Sequence, residues 1–488
     1  MSNLTDLLPA GAGGKQVDFV ASGTLSNGVA VGLKSDGEIE VIAETNNVET
    51  LGSSASSGAG NKLRLVSSFD PSSNRFILAY QNASNSNYGT IITASVSGST
   101  LTFSTNQYVY NSSSTGSVVG LDYVPPSQKT VLAYKDINDK GRAGLVSVSS
   151  SGNPVLLGTS QFSNYVYALR YDVCYDASSG NVFFAYTDGS GDLAGVVGSI
   201  SGNTITYGSE AVKANTRVSR WVRCAATTGG QVAVVYDRSG TAYTALGNIS
   251  GTAFTWATSD VSTMTVDTDS WDFCYDTTAN KVVFFAADGG TGYYPSYRVG
   301  TISGTGTGAS VSWSTATVVE SGSRFYERIV YIPVSNSYAL WYRTASNTYQ
   351  VLGATLSGTT LTFPLAAKVM TSVSSTYMPA VAANTTQSSA NVAAFVHNLA
   401  NNITYGASFT PTYTSTNVSS FVGITDAAIS SAASGSVTIK GGISTNVSSL
   451  TPNQNYYVQA NGTLSTTTSS VLAGKALSST SINLDYTT

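Results

Sequence analysis

The sequence contains few charged residues and no long apolar run. Asp, Glu, Lys and Arg make up 10% of the 488 residues, whereas soluble domains usually carry roughly 25%. The formal net charge of −4 argues against a nucleic-acid-binding surface, because such a surface needs clustered Lys and Arg. No stretch approaches the roughly 18 apolar residues of a transmembrane helix. Hydroxyl and amide groups must keep the surface soluble, which is typical of extracellular or virion β-proteins.

Cysteine and histidine are also scarce, which limits the available chemistry. Cys174, Cys224 and Cys274 stand at equivalent places in successive repeats and are not expected to meet disulfide geometry. We interpret them as small buried residues between neighbouring sheets. His397, the one histidine, belongs to no recognisable triad or zinc motif and is expected in a loop or at a strand end. We predict no metal, no cofactor and no enzymatic activity.

An apolar run recurs along the chain with a period of about 50 residues. It reads FILAY at the first copy and VFFAY at the third. The runs end at Tyr80, Tyr134, Tyr186, Tyr236, Ala286, Tyr342 and Val396. Repeats of this length with several strands each are typical of β-propeller blades. Runs that are apolar at every position indicate strands covered on both faces, as the middle strands of a blade are.

Turn residues recur in register with the apolar runs. In three repeats, Asp70, Asp176 and Asp276 each open a polar turn ten residues before the end of their apolar run. Ser-Gly pairs such as Ser201-Gly202 mark a second turn in the later half of the first six repeats. Glycine supplies the positive φ that short hairpin turns need. The pattern predicts an all-β fold, a seven-bladed β-propeller in which an N-terminal strand closes the ring.

The predicted closing strand is Glu38 to Glu44, because the seventh repeat lacks a clear fourth strand of its own. Joining the two chain ends in one sheet leaves no open edge. Residues 1–15 are expected to be a docking or disordered peptide, and residues 16–414 the propeller. The period stops at Ser415, so residues 415–488 are predicted to form a small β assembly domain.

Aromatic loops are the first candidates for a contact surface. Gly289 to Tyr297 reads GGTGYYPSY, and tyrosine with glycine and serine resembles the chemistry of antibody binding loops. The candidates are Tyr293, Tyr294, Tyr297, Tyr165, Tyr167, Phe325 and Tyr326. Asp188, Asp237 and Asp288 follow the apolar runs in Asp-Gly-type loops, where turn chemistry is favoured over calcium binding.

A glycan-cleaving propeller is the enzymatic alternative. Such a site needs a carboxylate pair or a Tyr/Glu nucleophile, and between residues 64 and 409 the glutamates are Glu210, Glu320 and Glu327. Arg64, Arg170 and Arg220 occupy equivalent positions and could bind an anionic sugar. We favour the interpretation that they neutralise carboxylates or cap strand ends.

Two stretches resemble proteins of tailed bacteriophages. Residues 415–488 resemble a small domain of phage structural and fibre-type proteins. The residues that carry this resemblance are Phe421-Val422-Gly423-Ile424, Gly441-Gly442, Leu450-Thr451-Pro452, Tyr456-Tyr457-Val458, Gly462-Thr463-Leu464 and Gly474 to Ser478. The opening MSNLTDLLPAGAGGKQVDFVASGTL resembles the start of virion proteins of marine and cyanobacterial phages. The resemblance covers about a fifth of the chain and implies a virion protein exposed on a tail or capsid. It brings no active site.

The opening also lacks the basic and apolar regions of a secretory signal. That fits a product released by lysis, a cytosolic protein or a chain trimmed of its leader. Three hypotheses follow. The first is a tail fibre or receptor-binding adhesin that recognises a host glycan or protein. The second is a capsid decoration or filament-forming protein, an oligomer that contacts other virion proteins or its own copies. The third is a propeller glycosidase. Neither nucleic acid nor membrane insertion is expected.

Overall fold

The computed structural model describes residues 15–44, 47–114, 117–167, 171–322, 324–344, 346–372, 379–385, 392–413 and 416–485. The chain divides into two compact units. We call Val48–Thr412 the ring unit, and Met1–Asn47 with Tyr413–Thr488 the terminal unit. The helical segments in the described ranges are single 3-10 turns, at Pro125–Ser127, Thr228–Gly230, Gly289–Thr291, Gly306–Gly308, Pro333–Ser335 and Val418–Ser420. Across those same ranges, no helix has the length and apolarity that a bilayer crossing requires.

The strands of the ring unit follow three strands of the terminal unit, β1 (Gln16–Val20), β2 (Ala30–Leu33) and β3 (Ile39–Val41). The ring unit then begins with β4 (Val48–Leu51) and β5 (Ala55–Ala59). Sheet 1 contains β6 (Lys62–Asp70), β7 (Arg75–Asn82), β8 (Tyr88–Ser97) and β9 (Thr100–Ser114). Sheet 2 contains β10 (Ser117–Val124), β11 (Lys129–Lys135), β12 (Gly141–Val148) and β13 (Pro154–Ser163). Sheet 3 contains β14 (Tyr171–Asp176), β15 (Asn181–Thr187), β16 (Leu193–Ser201), β17 (Thr204–Tyr207) and β18 (Ala211–Lys213).

Sheets 4 and 5 share one long strand, β22 (Ala253–Asp276), whose first half pairs with β21 and whose second half pairs with β23. Sheet 4 contains β19 (Val222–Ala226), β20 (Gln231–Arg238) and β21 (Thr241–Ser250) beside it. Sheet 5 adds β23 (Lys281–Asp288), β24 (Tyr294–Ser303), β25 (Ser310–Trp313) and β26 (Thr317–Val318). Sheet 6 contains β27 (Arg324–Ile332), β28 (Ser337–Thr344), β29 (Thr348–Ser357), β30 (Thr360–Thr362) and β31 (Lys368–Ser372). Sheet 7 contains β32 (Ala380–Ala383), β33 (Val392–Asn398) and β34 (Ile403–Thr412), with β4 and β5 at its edge.

The inner strands of the sheets contact one another in sequence. They are β6, β10, β14, β19, the second half of β22, β27 and β32. Each contacts the inner strand of the next sheet, and β32 returns to contact β6. This closed succession of antiparallel sheets, each packed between two others, makes the ring unit a β-propeller.

The second strand of each sheet is the predicted apolar run, and both of its faces are covered. In β15 all seven residues are buried. Phe183 packs on Phe254 of sheet 4, with ring centroids 4.2 Å apart. Its neighbour Phe184 packs on Phe162 of sheet 2 at 4.9 Å. Successive side chains of a strand point to opposite faces, so an unbroken apolar run joins two neighbouring sheets at once.

The N-terminal stretch that joins sheet 7 is not the one that the sequence suggested. Val48–Leu51 pairs antiparallel with residues 409–412, and Ala55–Ala59 pairs with residues 403–406 of the same strand. The predicted stretch Glu38 to Glu44 instead contributes β3, which pairs with β2. Ile39 and Ile42 are fully buried in the terminal unit. Their burial there explains why this stretch is absent from sheet 7.

The terminal unit is built from both ends of the chain. Its later strands are β35 (Phe421–Thr425), β36 (Ser434–Ile439), β37 (Ile443–Ser444), β38 (Asn455–Val458), β39 (Leu464–Ser465), β40 (Val471–Ser478) and β41 (Ser481–Leu484). One sheet has the order β1-β36-β35-β2-β3 and the other β37-β41-β40-β38-β39. Residues 16–41, assigned to the propeller by their sequence, therefore complete the C-terminal β-domain. β1 and β2 pair with the edges that β36 and β35 would otherwise leave open.

Candidate functional site

The ring unit has two ends with different connections, which we call the turn end and the loop end. The turn between the first and second strands of each sheet, and the Ser-Gly turn between the third and fourth, lie at the turn end. The loop between the second and third strands, and the connection to the next sheet, lie at the loop end. The turn ends of neighbouring sheets lie side by side. For example, the Tyr331 hydroxyl, beside the first turn of sheet 6, forms a 2.7 Å hydrogen bond with the Thr278 hydroxyl in the first turn of sheet 5.

The turn end is satisfied by its own hydrogen bonds. The buried Asp276 carboxylate accepts from the backbone N–H groups of Thr278 and Ala279, both at 2.8 Å, and from the Tyr338 hydroxyl of the next sheet. Asp176 does the same for Ser178 and Ser179, at 3.2 and 2.9 Å. These side chains hold the turn conformation, which confirms the structural role inferred for them from the sequence.

A cavity of about 600 Å³ runs along the axis of the ring unit and is lined by the inner strands of all the sheets. Three aspartates in its wall each accept a backbone N–H from the next inner strand. Asp122 accepts from Tyr175 at 2.7 Å, Asp172 from Cys224 at 3.1 Å and Asp272 from Ile329 at 3.4 Å. These bonds use the carboxylates to fasten neighbouring sheets.

Burial sets the protonation of these acids. It raises the pKa of Asp122 to about 6 and that of Asp172 to about 7, although the backbone N–H bonds and, for Asp172, the Arg223 charge oppose the rise. Burial also raises the pKa of Asp272, against the pull of Arg328 and Arg223. Arg328 is itself buried and donates to the carbonyls of Trp271, Glu327 and Pro379. The axial groups thus serve mainly one another and the backbone.

The cysteines also line this axial cavity. All three thiols are free, and burial raises the pKa of each. The sequence placed them between sheets, and the structure adds that they face the axis. Within the described ranges no three His, Cys, Asp or Glu side chains are grouped to hold a metal ion.

Asp188 holds its own loop, as turn chemistry predicted, whereas Asp237 fastens the connection between sheets 3 and 4. Asp188 accepts from the N–H groups of Ser190 and Asp192, both at 2.9 Å. Asp237 accepts from those of Arg220 and Trp221. These carboxylate oxygens are therefore occupied by backbone donors.

His397 lies near the end of β33, as its sequence position suggested, and is fully buried. Its Nδ1 bonds the Thr404 hydroxyl at 2.9 Å. Burial, together with the Lys62 charge, lowers its pKa to about 4, so the ring is neutral at physiological pH.

The aromatic candidates fall at the loop end, with one exception. Tyr293 follows the turn Gly289–Thr291, which the Asp288 side chain caps through Gly290 N–H at 2.9 Å. Tyr293 is 44% exposed and has a φ of 65°; Tyr294 beside it is half-buried. Tyr297 is 1% exposed, and its hydroxyl accepts from Leu361 N–H of sheet 6. It is a core residue and leaves the candidate surface.

The other candidates form two separate pairs at the same end. Tyr165 and Tyr167, in the connection from sheet 2 to sheet 3, pack edge to face at 5.0 Å. Phe325 and Tyr326 begin the inner strand of sheet 6. Sheet 6 adjoins sheet 5, which carries Tyr293 and Tyr294, whereas Tyr165 and Tyr167 lie further around the ring. The structure therefore groups four of the seven candidates on neighbouring sheets.

Sequence reasoning missed Arg343, which directly follows Tyr342 at the end of the sixth apolar run. Its guanidinium carbon lies 5.3 Å from the Phe325 ring centroid and 4.9 Å from that of Tyr326. A β-bulge between Phe325 and Arg328 creates this arrangement, because a bulge sets two residues of one strand opposite one of its partner. Tyr326 adopts a φ of 62° within it. The apolar run gives no signal of a bulge in the strand beside it.

The arginines at equivalent positions of the sequence repeats do not share one environment in the structure. Arg64 is half-buried with a φ of 56°, also within a bulge of its inner strand. Arg220 is exposed. Arg170 lies outside the described residues. No common anion site at the axis emerges from the two that are described.

No protein-family model matches the chain, and no curated protein matches it in sequence. Solved structures do match in fold. The BP39L lectin from Burkholderia pseudomallei is 11% identical with a TM-score of 0.50, over 71% of this chain and 95% of that one. The periplasmic gluconolactonase PpgL from Pseudomonas aeruginosa is 8% identical with a TM-score of 0.48, over 73% and 97%. AofleA from Arthrobotrys oligospora is 7% identical with a TM-score of 0.41, over 72% and 95%.

At such identity the likeness concerns the fold alone. It agrees with the closed succession of sheets described above: the protein is an all-β protein whose larger unit is a β-propeller.

Proposed function

We propose that this protein is a virion-surface adhesin whose propeller binds a host glycan or protein through its loop end. The observation that carries the proposal is the backbone conformation of two loop-end tyrosines. Tyr293 and Tyr326 both have left-handed φ values, which cost an aromatic residue on the order of 1–2 kcal/mol. Such strain concentrates at functional sites, and aromatic faces suit sugar and protein contacts alike.

The propeller has seven blades in this proposal, one for each of sheets 1 to 7. The recurrence of the apolar runs and the return of β32 to β6 support that count. The resemblance of the opening and of residues 415–488 to phage virion proteins supports a position on a tail or capsid, with release in the particle after synthesis in the host cytoplasm. The loop end of a rigid ring would hold its aromatic groups in fixed positions, which reduces the entropy lost on binding.

Adsorption to cells tests the adhesin proposal. The labelled full chain is incubated with a panel of marine cyanobacterial strains, and bound protein is measured after washing. We expect binding to at least one strain, and loss of that binding in the variant Tyr293→Ala with Tyr294→Ala. The control Asn203→Ala alters an exposed residue of a Ser-Gly turn at the other end and should bind normally. Equal binding by the double variant on every binding strain would refute the role of this surface.

One observation favours a decoration or filament-forming protein as the second candidate. Strand β1 lies at a sheet edge of the terminal unit and exposes Val17 and Val20 at 39% and 41%. Exposed apolar edge strands pair readily with other chains. A decoration protein would occur on the particle at a copy number set by capsid symmetry, and quantitative mass spectrometry of purified particles measures that number.

We propose no enzymatic activity. The axial acids, which a glycosidase would require to face one substrate, each accept a backbone N–H of the next sheet. Release of reducing sugar from candidate host polysaccharides, lost on Asp172→Asn, would contradict this.

A further inference from the structure

Arg343 is half-buried and differs from Arg328, Arg142 and Arg298 of the ring unit in having no acceptor among the described residues. Arg328 donates to three backbone carbonyls, and Arg142 pairs with Asp136 at 2.6 Å. Arg298 donates to Thr263 O at 2.7 Å. Among the described residues, the Arg343 guanidinium donates no hydrogen bond and forms no ion pair, and its Nε is buried without a partner. The Nε–H group has therefore lost water without gaining an acceptor.

The surroundings of Arg343 fix its position. Strand pairing sets Phe325 opposite Arg343 on one side and Tyr349 opposite it on the other. The bulge then brings the Tyr326 ring to the same guanidinium, at the cost of a left-handed backbone. Two aromatic contacts attract the cation but leave its in-plane N–H groups without acceptors. The arrangement orients a rigid fork of donors before any ligand arrives.

The carboxylate of Glu320, which bonds residues of the strands that hold Arg343, already has donors. Glu320 accepts from the Tyr342 hydroxyl at 2.9 Å and from the Gln350 amide at 3.3 Å. It contacts side chains of β28 and β29 and forms no ion pair with the Arg343 guanidinium within the described ranges. None of these contacts supplies an acceptor for the Nε–H group, and a ligand with two coplanar oxygens would engage it together with a terminal N–H group.

We propose that Arg343, clamped by Phe325 and Tyr326, binds the carboxylate or sulfate oxyanion of an acidic polysaccharide. This inference rests on the proposed adhesin function and names its ligand class. Carboxylates and sulfates match the paired donors of a guanidinium, and Tyr293 and Tyr294 on the adjoining sheet supply aromatic faces for neighbouring sugar rings. A neutral glycan would leave the arginine as it is in the free protein.

Affinity electrophoresis of the full chain tests the inference with defined polymers. The probes are polygalacturonate, its fully methyl-esterified form, dextran sulfate and dextran. Retardation by polygalacturonate or dextran sulfate identifies the oxyanion as carboxylate or sulfate, while the ester and dextran should retard the chain at least about tenfold less. Added salt should weaken the retardation, because ion pairs near the surface are screened.

Variants then assign the effect to the one arginine. Arg343→Gln should weaken binding about tenfold or more, and Arg343→Lys by less, since a lysine keeps the charge but loses the fork. Arg238→Gln removes the same charge from the loop end of sheet 4, where Arg238 lies 4.4 Å from the Tyr243 ring centroid. It should bind as the unchanged protein does. A melting temperature within about 2 °C of the unchanged protein's shows that each variant is folded.

Two results would overturn the inference. One is equal retardation by polygalacturonate and its methyl ester, with no retardation by dextran sulfate. The other is equal loss of binding in Arg343→Gln and Arg238→Gln, which would indicate a diffuse charge effect. If Arg343→Gln adsorbs normally to cells that the Tyr293 and Tyr294 variant fails to bind, the oxyanion site is wrong and the adhesin proposal stands. If the unchanged protein adsorbs to no cell type, the adhesin proposal itself fails.

Discussion

The two ends of the ring unit solve the same backbone problem with different residues. At the turn end, the described left-handed positions are filled by asparagine, glutamine or glycine, including Asn74, Gln128, Asn280, Asn336 and Gly202. At the loop end, asparagines such as Asn87 and Asn347 take positive φ values too, but so do Tyr293, Tyr326, Arg64 and Arg217. Asparagine and glycine adopt this conformation at little cost, whereas tyrosine and arginine do not. The turn end is thus built for stability, and the loop end retains strain where specific side chains must be displayed.

The largest expected effect tests the turn end. Asp276→Ala removes the acceptor of two backbone N–H groups of the turn and of the buried Tyr338 hydroxyl, so we expect a loss of about 2–4 kcal/mol in the free energy of unfolding. Chemical denaturation measures it, and Asp276→Asn, which keeps one acceptor oxygen, should lose less. A loss below about 1 kcal/mol would show that the turn end does not carry this share of the stability.

The axial aspartates, which lie between the two ends, should make the stability of the protein depend on pH. The pKa of Asp172 is raised by burial to about 7 from its ordinary 3.8. The folded state therefore holds a proton that the unfolded state releases, and stability falls as pH rises from about 4 to about 7. Asp172→Asn keeps an acceptor for Cys224 and abolishes this dependence.

The variant should gain stability relative to the unchanged protein as pH rises through that window. After discounting for the solvent that reaches this half-buried side chain, we expect about 1–2 kcal/mol at pH 8 and little difference at pH 4. Denaturation midpoints measured across the pH range decide this. A variant that is less stable at pH 8 would show that the charged carboxylate stabilises the axis through Arg223.

The loop end is tested by relieving its strain. Tyr326→Gly removes the cost of a left-handed aromatic residue and also the ring that packs on Arg343. These effects oppose each other, so we expect the free energy of unfolding to change by less than about 1 kcal/mol, while retardation by acidic polymers falls. A stability loss above about 2 kcal/mol would mean that Tyr326 is a packing residue and not a displayed one.

The smallest effect is expected at a left-handed position of the turn end. Asn74 is exposed with a φ of 54°, and Asn74→Gly should change the free energy of unfolding by less than about 0.5 kcal/mol. The same thermal and chemical denaturation measurements apply. A stabilisation as large as that of any loop-end glycine variant would erase the difference between the two ends.

The sequence was most informative where structure is local. The Asp276 turn and the strand β15 could be predicted from the sequence, because turn chemistry and burial on both faces act within a few residues. The propeller fold follows from repeating such units.

Pairings across long separations were less predictable. Glu38 to Glu44 and Val48–Leu51 both suit a strand, and the burial of Ile39 and Ile42 elsewhere decides between them. The role of Arg343 could not be predicted from the sequence for a related reason. Its importance depends on a bulge in β27, and the identity of Arg343 itself carries no trace of that bulge. Tyr297 could not be told from Tyr293 because both belong to one aromatic loop, and only the fold buries one of them.

The edge of sheet 7 has a consequence for biosynthesis. Residues 48–59 leave the ribosome before any other part of the ring unit, yet their partner strand, residues 403–412, emerges last. The nascent chain must therefore carry two unpaired strands until translation of the ring is nearly complete. Termination before residue 403 would leave β4 and β5 without their partner, and only a chain translated past residue 412 can complete sheet 7.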